Sequence, residues 1–367
     1  MSANRNTTKR LRTAALSAAV ALCSVTAVLL PTAASAATGA ADTGGAGVER
    51  ISVATDGAQA DNNSTGASIT PDGRYIVFAS SATNLSPGAT ETSPRVYLRD
   101  QRTGQNTGMG RFSPDGQPPA ISSNGVFIAY SASQTGRVWK VRVPNNAQLP
   151  TDCVPTCNQP SWSTDGRYLA FATNQRPDQT PGQKIEIEDQ ASFSIETIAH
   201  LDNSSPSRPS ISGDGRYVAY QDGQAQDVFL WDRDDSSTSD PIEGPGIPAS
   251  IVQLSDNGRK VVYFSGTDTY VYDIPNATTQ QVPDVRGIAI DPTGRYLLYA
   301  PNDTSGPALT LRDLRTGTDE TVSNQPASAG TDSISSDGRD VIFQSTADDI
   351  VPGDTNGKSD IFIRRFY

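Results

Sequence analysis

Residues 69–78 read ITPDGRYIVF, residues 162–171 read WSTDGRYLAF and residues 211–220 read ISGDGRYVAY. The same pattern returns at 121–130 (ISSNGVFIAY), 254–263 (LSDNGRKVVY), 290–299 (IDPTGRYLLY) and 334–343 (ISSDGRDVIF), which makes seven copies. Each copy runs from an apolar residue through Ser, Thr or Asp, one variable position, usually Asp or Asn, and Gly, into an apolar run that ends on Phe or Tyr. The glycines recur about every 44 residues, the period of a four-stranded propeller blade. Asp115-Gly116 imitates the motif but stands too close to Gly125 to leave room for a further blade.

Asp-Gly or Asn-Gly between two β-prone segments supplies the positive φ that a tight hairpin needs. Before the turn come small residues and one apolar anchor (Ala67-Ser68-Ile69, Pro209-Ser210-Ile211), suited to an innermost strand crowded round an axis. After it, Tyr75-Ile76-Val77-Phe78 and its equivalents are apolar on both faces, as a strand buried between two blades must be. A third strand follows in most repeats and ends on Asp100, Asp189, Asp232, Asp273 or Asp313, which are expected to bond turn backbone. A shorter polar fourth strand comes next, as at 321–323.

The two ends complete each other. The last repeat reaches only a third strand at 361–367, whereas residues 49–53 (ERISV) read as an unpaired fourth strand ahead of the first repeat. The expected fold is all-β: one seven-bladed propeller of four-stranded antiparallel blades over 48–367, closed by the N-terminal strand so that no edge stays open. The repeats resemble the TolB-like, WD-like β-propeller repeats of exported bacterial proteins, and Trp231-Asp232 repeats the WD dipeptide. The resemblance implies the propeller; the family's namesake has six blades and a separate N-terminal domain, whereas this chain has seven motifs behind a short leader.

Arg5, Lys9, Arg10 and Arg12 precede an uncharged apolar run over 14–30, followed by Ala34-Ser35-Ala36. This reads as a secretory signal peptide over 1–36, cleaved near Ala36, with a flexible leader over 37–47 and a secreted or envelope location. The net charge of −11, more negative once the basic signal is removed, disfavours nucleic acid and anionic membranes as partners, and no later stretch is apolar enough to insert into a bilayer. Cys153 and Cys157 are expected to form a local disulfide. A zinc site would need further soft or imidazole ligands, and the chain has one histidine, His200.

Candidates for chemistry are few. Propellers of this kind also occur as lid domains of prolyl-oligopeptidase-type peptidases, but no Gly-x-Ser-x-Gly elbow is present, and His200 reads as a strand-end or loop residue. Asp72, Asp165, Asp214 and Asp337 are spent on hairpins. The oxygen-rich segment 352–360 carries Asp354, Asn356 and Asp360 in part of a calcium-loop pattern without its full spacing or bidentate Glu; it reads as a turn, with calcium binding left open. No catalytic, cofactor-binding or metal residue is therefore assigned, and no cofactor is expected. The leading functional expectation is a non-catalytic, monomeric scaffold that binds a protein or cell-surface glycan through the loops at 81–95, 147–159, 173–183 and 345–359 and the axial opening. The rival is a carbohydrate-active or lactone-type enzyme using carboxylates and a cation in the central channel. Acids converging on the axis around a metal would favour the rival; a small, apolar lining would favour the scaffold.

Overall fold

The computed structural model describes residues 47–87, 93–110, 114–153, 156–175, 181–199, 205–223 and 226–366. Six of the seven repeats form four-stranded antiparallel sheets whose strands follow chain order. Blade 1 is typical: Ser64–Ile69 innermost, then Tyr75–Ser80, Arg95–Asp100 and Gln105–Met109. The seventh sheet joins the chain ends, with Gly47–Arg50 pairing Asp360–Arg365, which pairs Asp340–Ser345. The fold is a seven-bladed β-propeller closed by the N-terminal strand. The signal-peptide reading of 1–36 and His200 lie outside the described residues.

Two details differ from the sequence expectation. The closing strand begins at Gly47 and leaves the sheet after Arg50, so Gly47, expected in the leader, pairs Arg365. Beyond it the chain turns inward, held by Ile51 N donating to Ile361 O at 2.7 Å. The inner segment of blade 7 is not a regular strand. Its β-pairing with the neighbouring strand is reduced to the bridges Ser328↔Gln344 and Ile334↔Val341, and Asp332 between them takes a φ of 56°, which breaks the strand geometry.

The motif explains its own spacing. Ser212 Oγ donates to Asp214 Oδ1 at 2.6 Å and accepts from Tyr217 N at 2.9 Å, while Arg216 N donates to Asp214 Oδ1 at 2.9 Å. One hydroxyl and one carboxylate thus satisfy the backbone of the whole turn. The arginine then reaches the aspartate that ends the third strand: Arg74 meets Asp100 at 2.9 Å, Arg167 meets Asp189 at 3.0 Å, Arg216 meets Asp232 at 2.8 Å and Arg295 meets Asp313 at 2.6 Å. These aspartates also cap the next turn as expected, Asp100 Oδ1 accepting from Arg102 N at 2.9 Å. The bond to Arg216 holds the Asp232 carboxyl below the usual carboxylate range.

Apolar packing lies between blades. Among the described residues seven buried clusters are present, one for each pair of neighbouring blades, and the cluster joining Phe78 and Tyr97 of blade 1 to Ile342 and Ile361 of blade 7 closes the circle. Residues of the second strand serve both sides, with Ile76 and Phe78 in one cluster and Val77 in the next. At the hairpins, the residue after the motif's Arg covers the glycine of the following blade. A β-carbon on Gly125 would fall 2.6 Å from the Tyr75 ring, one on Gly166 2.5 Å from Phe127, and one on Gly338 2.6 Å from Tyr296. Lys260 covers Gly294 in the same way, and Asp340 covers Gly73 across the closure.

The N-terminal strand also reaches the oxygen-rich segment of blade 7. Arg50 is buried, with Nη1 at 3.5 Å from Asp354 Oδ1 and 3.8 Å from Asp360 Oδ2. Asn356 donates to Asp360 at 2.9 Å and to Ala60 O at 3.0 Å, and Ser52 Oγ donates to the other oxygen of Asp360. A guanidinium from the closing strand supplies the positive charge that these carboxylates face.

Two outcomes test this account. Gly125→Ala and Gly317→Ala both place a side chain at positive φ (69° and 74°), but Gly317 has open space around it. Both should destabilise, Gly317→Ala by about 1 kcal/mol and Gly125→Ala by roughly 2 kcal/mol more in chemical denaturation, because Tyr75 must move. Arg50→Ala leaves two carboxylates buried without their cation and should cost about 3–5 kcal/mol, whereas a chelator added to the unaltered protein should leave its melting temperature in place.

Candidate active site

The innermost strands are short and built of small residues, so they leave an axial cavity of about 580 Å³. Most of its wall is Ser, Pro, Ala and aliphatic side chains, among them Ser68, Pro119, Ser161, Ser210 and Ile288. In five blades the inner strand carries a bulge, where its register with the second strand slips between Thr65 and Ala67, Asn158 and Ser161, Ser207 and Ser210, Ile251 and Gln253, and Gly287 and Ala289. A bulge adds one residue to the strand and re-aims side chains. Two of them hold non-glycine residues in the left-handed region, Gln159 at φ 56° and Arg208 at φ 53°. Arg208 N donates to Gln159 Oε1 at 2.7 Å, so the two unusual residues brace each other across blades 3 and 4.

Antiparallel pairing places the connections between second and third strands at the end where the inner strands begin. The loops expected to form the binding face lie at that end, and of their described residues Gln159 lines the cavity; 88–92, 154–155 and 176–180 within them lie outside the described residues. Cys153 and Cys157 are joined by the expected disulfide beside the innermost strand of blade 3.

The hairpin end is drawn together by main-chain bonds from blade to blade. Thr164 N donates to Gly213 O at 2.9 Å, Gly213 N to Asp256 O at 2.7 Å, Asn257 N to Pro292 O at 3.0 Å and Ser336 N to Pro71 O at 2.8 Å. These residues occupy or adjoin the motif's variable position, which faces the axis. Asp256 stands there in blade 5, and its carboxylate accepts from Ser123 Oγ of blade 2 at 2.6 Å and from Thr164 Oγ1 of blade 3 at 3.4 Å.

Asp332 comes to the same place from the irregular inner segment of blade 7. Gln253 Nε2 donates to its Oδ1 at 2.6 Å, while Gln253 Oε1 accepts from Ile290 N at 3.2 Å and from Asp332 N at 3.3 Å. Two main-chain donors on the amide oxygen fix the amide's orientation, so its nitrogen must point at the carboxyl. Asp332 lines the large cavity, and both acids line a narrow void below it. Burial, and secondarily the neighbouring Asp256, pushes the Asp332 carboxyl up to about 7; burial also raises Asp256. A carboxyl of this kind can give a proton to a leaving oxygen or take one from a bound molecule near neutral pH.

Sequence reading assigned neither acid a role. Asp332 lies outside the motif, and Asp256 sits at a position that holds Pro, Ser, Thr or Gly in the other repeats. The channel combines both features set against each other beforehand: a mostly small and apolar wall, and acids converging at its floor. Among the described residues no group of three or more His, Cys, Asp or Glu side chains is placed to hold a metal ion, and the sequence offers one histidine in all.

No family model and no curated protein matches the chain. Solved structures do. An oligogalacturonate lyase in complex with manganese matches with a TM-score of 0.64 and 16% identity, covering 89% of this chain and 94% of the other. The oligogalacturonate lyase of Vibrio parahaemolyticus matches with a TM-score of 0.64 and 14% identity, over 87% and 93%. The Cps50 (Swd1) β-propeller domain of Myceliophteria thermophila matches with a TM-score of 0.55 and 11% identity, over 82% and 96%. At these identities the likeness is one of fold, in agreement with the propeller implied by the TolB-like resemblance. The expectation of a non-catalytic scaffold is corrected: two of these matching structures are lyases, and two half-buried acids, Asp256 and Asp332, meet near the axis. The residues at the channel floor do not fit manganese by number: only two acids, Asp256 and Asp332, meet there, and among the described residues no third acid, histidine or cysteine joins them.

The raised carboxyl makes a stability prediction. A native-state value above the unfolded one means that the native state keeps its proton over that interval, so this group's contribution is most favourable below the ordinary carboxylate range and declines as pH rises towards about 7. Asp332→Asn should therefore raise the melting temperature at pH 8 by roughly 2–5 °C and change it little near pH 4, as read by calorimetry.

Proposed function

We propose that the chain is an exported carbohydrate-active enzyme that holds a saccharide in its axial cavity and cleaves it by proton transfer through Asp332. The observation that carries this reading is that Asp332, on the cavity wall, and Asp256, in the narrow void below it, are half-buried beside one another and fixed by Gln253, Ser123 and Thr164. Two carboxyls in unlike surroundings are the usual means by which one site keeps a proton on one group and removes it from another. The fold likeness to oligogalacturonate lyases supports saccharide as the substrate class, and the cavity is large enough for a few sugar residues. Export rests on the basic-then-apolar segment ending at Ala36; the Cys153–Cys157 disulfide suits an oxidising exterior, and among the described residues no helix is long and apolar enough to cross a membrane.

Asp332 lies where a ligand in the cavity would meet it, and Gln253 holds its orientation, so in this reading it gives its proton to the leaving glycosidic oxygen as the C–O bond breaks, while water adds at the anomeric carbon and returns a proton to the carboxylate. Asp256 is a positioning residue that keeps the Asp332 proton in place. The test is to incubate purified protein with a panel of neutral and acidic polysaccharides and measure new chain ends. Cleavage of at least one glycan is expected, with an inflection of kcat/KM near pH 7. Asp332→Asn should lower kcat by about 100-fold or more while remaining folded. Asp256→Asn should shift the inflection downward, because it removes the neighbouring charge. Full activity in Asp332→Asn, or no cleavage of any glycan, would overturn the reading.

A further inference from the structure

The described part of this acidic chain places two arginines, Arg208 of blade 4 and Arg286 of blade 6, on the wall of the axial cavity. Both are exposed to it, and among the described residues neither guanidinium has a carboxylate partner, in contrast to the arginines of the hairpin motif. Their backbones are held. Arg208 sits in a bulge between Pro206 and Pro209 with a left-handed φ of 53°, a conformation that costs a long side chain about 1 kcal/mol and is kept only where surrounding structure enforces it. Arg286 extends from the innermost strand with its guanidinium 5.9 Å from the centre of the Phe264 ring, and the next residue, Gly287, is tied through its N–H to Thr269 Oγ1 at 2.7 Å.

We propose that Arg208 and Arg286 bind the carboxylate of an acidic sugar and that this pair, rather than a divalent metal, neutralises the ligand's charge in the cavity. A guanidinium offers a planar fork of donors that fits a carboxylate through two parallel hydrogen bonds. The acids at the floor set the polarity of the site: cationic groups lie on the wall, and Asp332 lies deeper. An anionic ligand is attracted by the first and repelled by the second once Asp332 ionises, so affinity falls as pH rises through neutrality. The proposal rests on the cavity being the saccharide site, but binding can be read without turnover.

The experiment is calorimetric titration of the full mature chain with trigalacturonate, its neutral methyl ester and inorganic sulfate, each with and without a chelator. To prevent turnover, the Asp332→Asn variant serves as a parallel host. The acid should bind at least about tenfold tighter than the ester, with sulfate a weak competitor and the chelator without effect. Arg208→Ala and Arg286→Ala should each weaken the acid by about tenfold or more while leaving ester binding and melting temperature unchanged, and Arg208→Lys should recover only part. Equal binding of acid and ester, loss of binding in chelator, or unaltered affinity in both arginine variants would overturn the proposal. Sulfate binding as tightly as trigalacturonate would overturn the acidic-sugar assignment. If the acid binds as described and no glycan is ever cleaved, the enzymatic reading fails and the arginine pair stands.

Discussion

The contact on which the structure depends is the pressing of one blade's hairpin residue onto the next blade's hairpin glycine. Tyr75 on Gly125, Phe127 on Gly166 and Tyr296 on Gly338 leave no room for a β-carbon. Backbone therefore meets ring at van der Waals distance, and adjacent blades stand at a fixed separation. The glycine is demanded twice, once by the positive φ of the turn and once by the neighbour. The contact repeats round the circle, and Asp340 on Gly73 carries it across the closure.

The axial channel has its unusual residues where the inner strands are least regular. Bulges and left-handed residues are costly in a sheet, yet Gln159, Arg208 and Asp332 all adopt them next to the axis. The outer strands and hairpins carry the regular, mutually satisfied bonds, and the irregular inner edge carries the charges. This division lets a uniform scaffold hold a site that no single repeat contains: Arg208, Gln253, Arg286 and Asp332 come from four different blades.

The architecture was legible because every repeat writes the same instruction. Asp-Gly or Asn-Gly followed by Arg and Tyr is a local signal, and seven copies with a leftover strand at one end and a missing strand at the other define a ring. The partnership of the motif's arginine with the strand-end aspartate is also periodic, but it joins residues roughly 20 apart and needs register as well as spacing. The acids of the channel were not legible, because they are departures from the repeat. Asp256 replaces a small residue at the variable position, Asp332 falls in the one inner segment that is not a strand, and their meeting depends on the curvature that brings blades 5 and 7 to one axis. A scan for charged residues in otherwise small inner strands (Ser207-Arg208-Pro209, Val285-Arg286-Gly287) would have marked the arginines.

The strand Gly47–Arg50 emerges during synthesis ahead of the other described strands, and its partner Asp360–Arg365 emerges after them. The bond between Ile361 N and Ser52 Oγ and the pair between Arg365 and Glu49 span more than 300 residues each. Such a joint forms only after the intervening chain is complete, and closing so long a loop is slow. Until then the polypeptide is an arc with two raw edges, and the buried Arg50 has no carboxylates to meet. The last joint therefore acts as a proof of completeness: a truncated chain cannot form it.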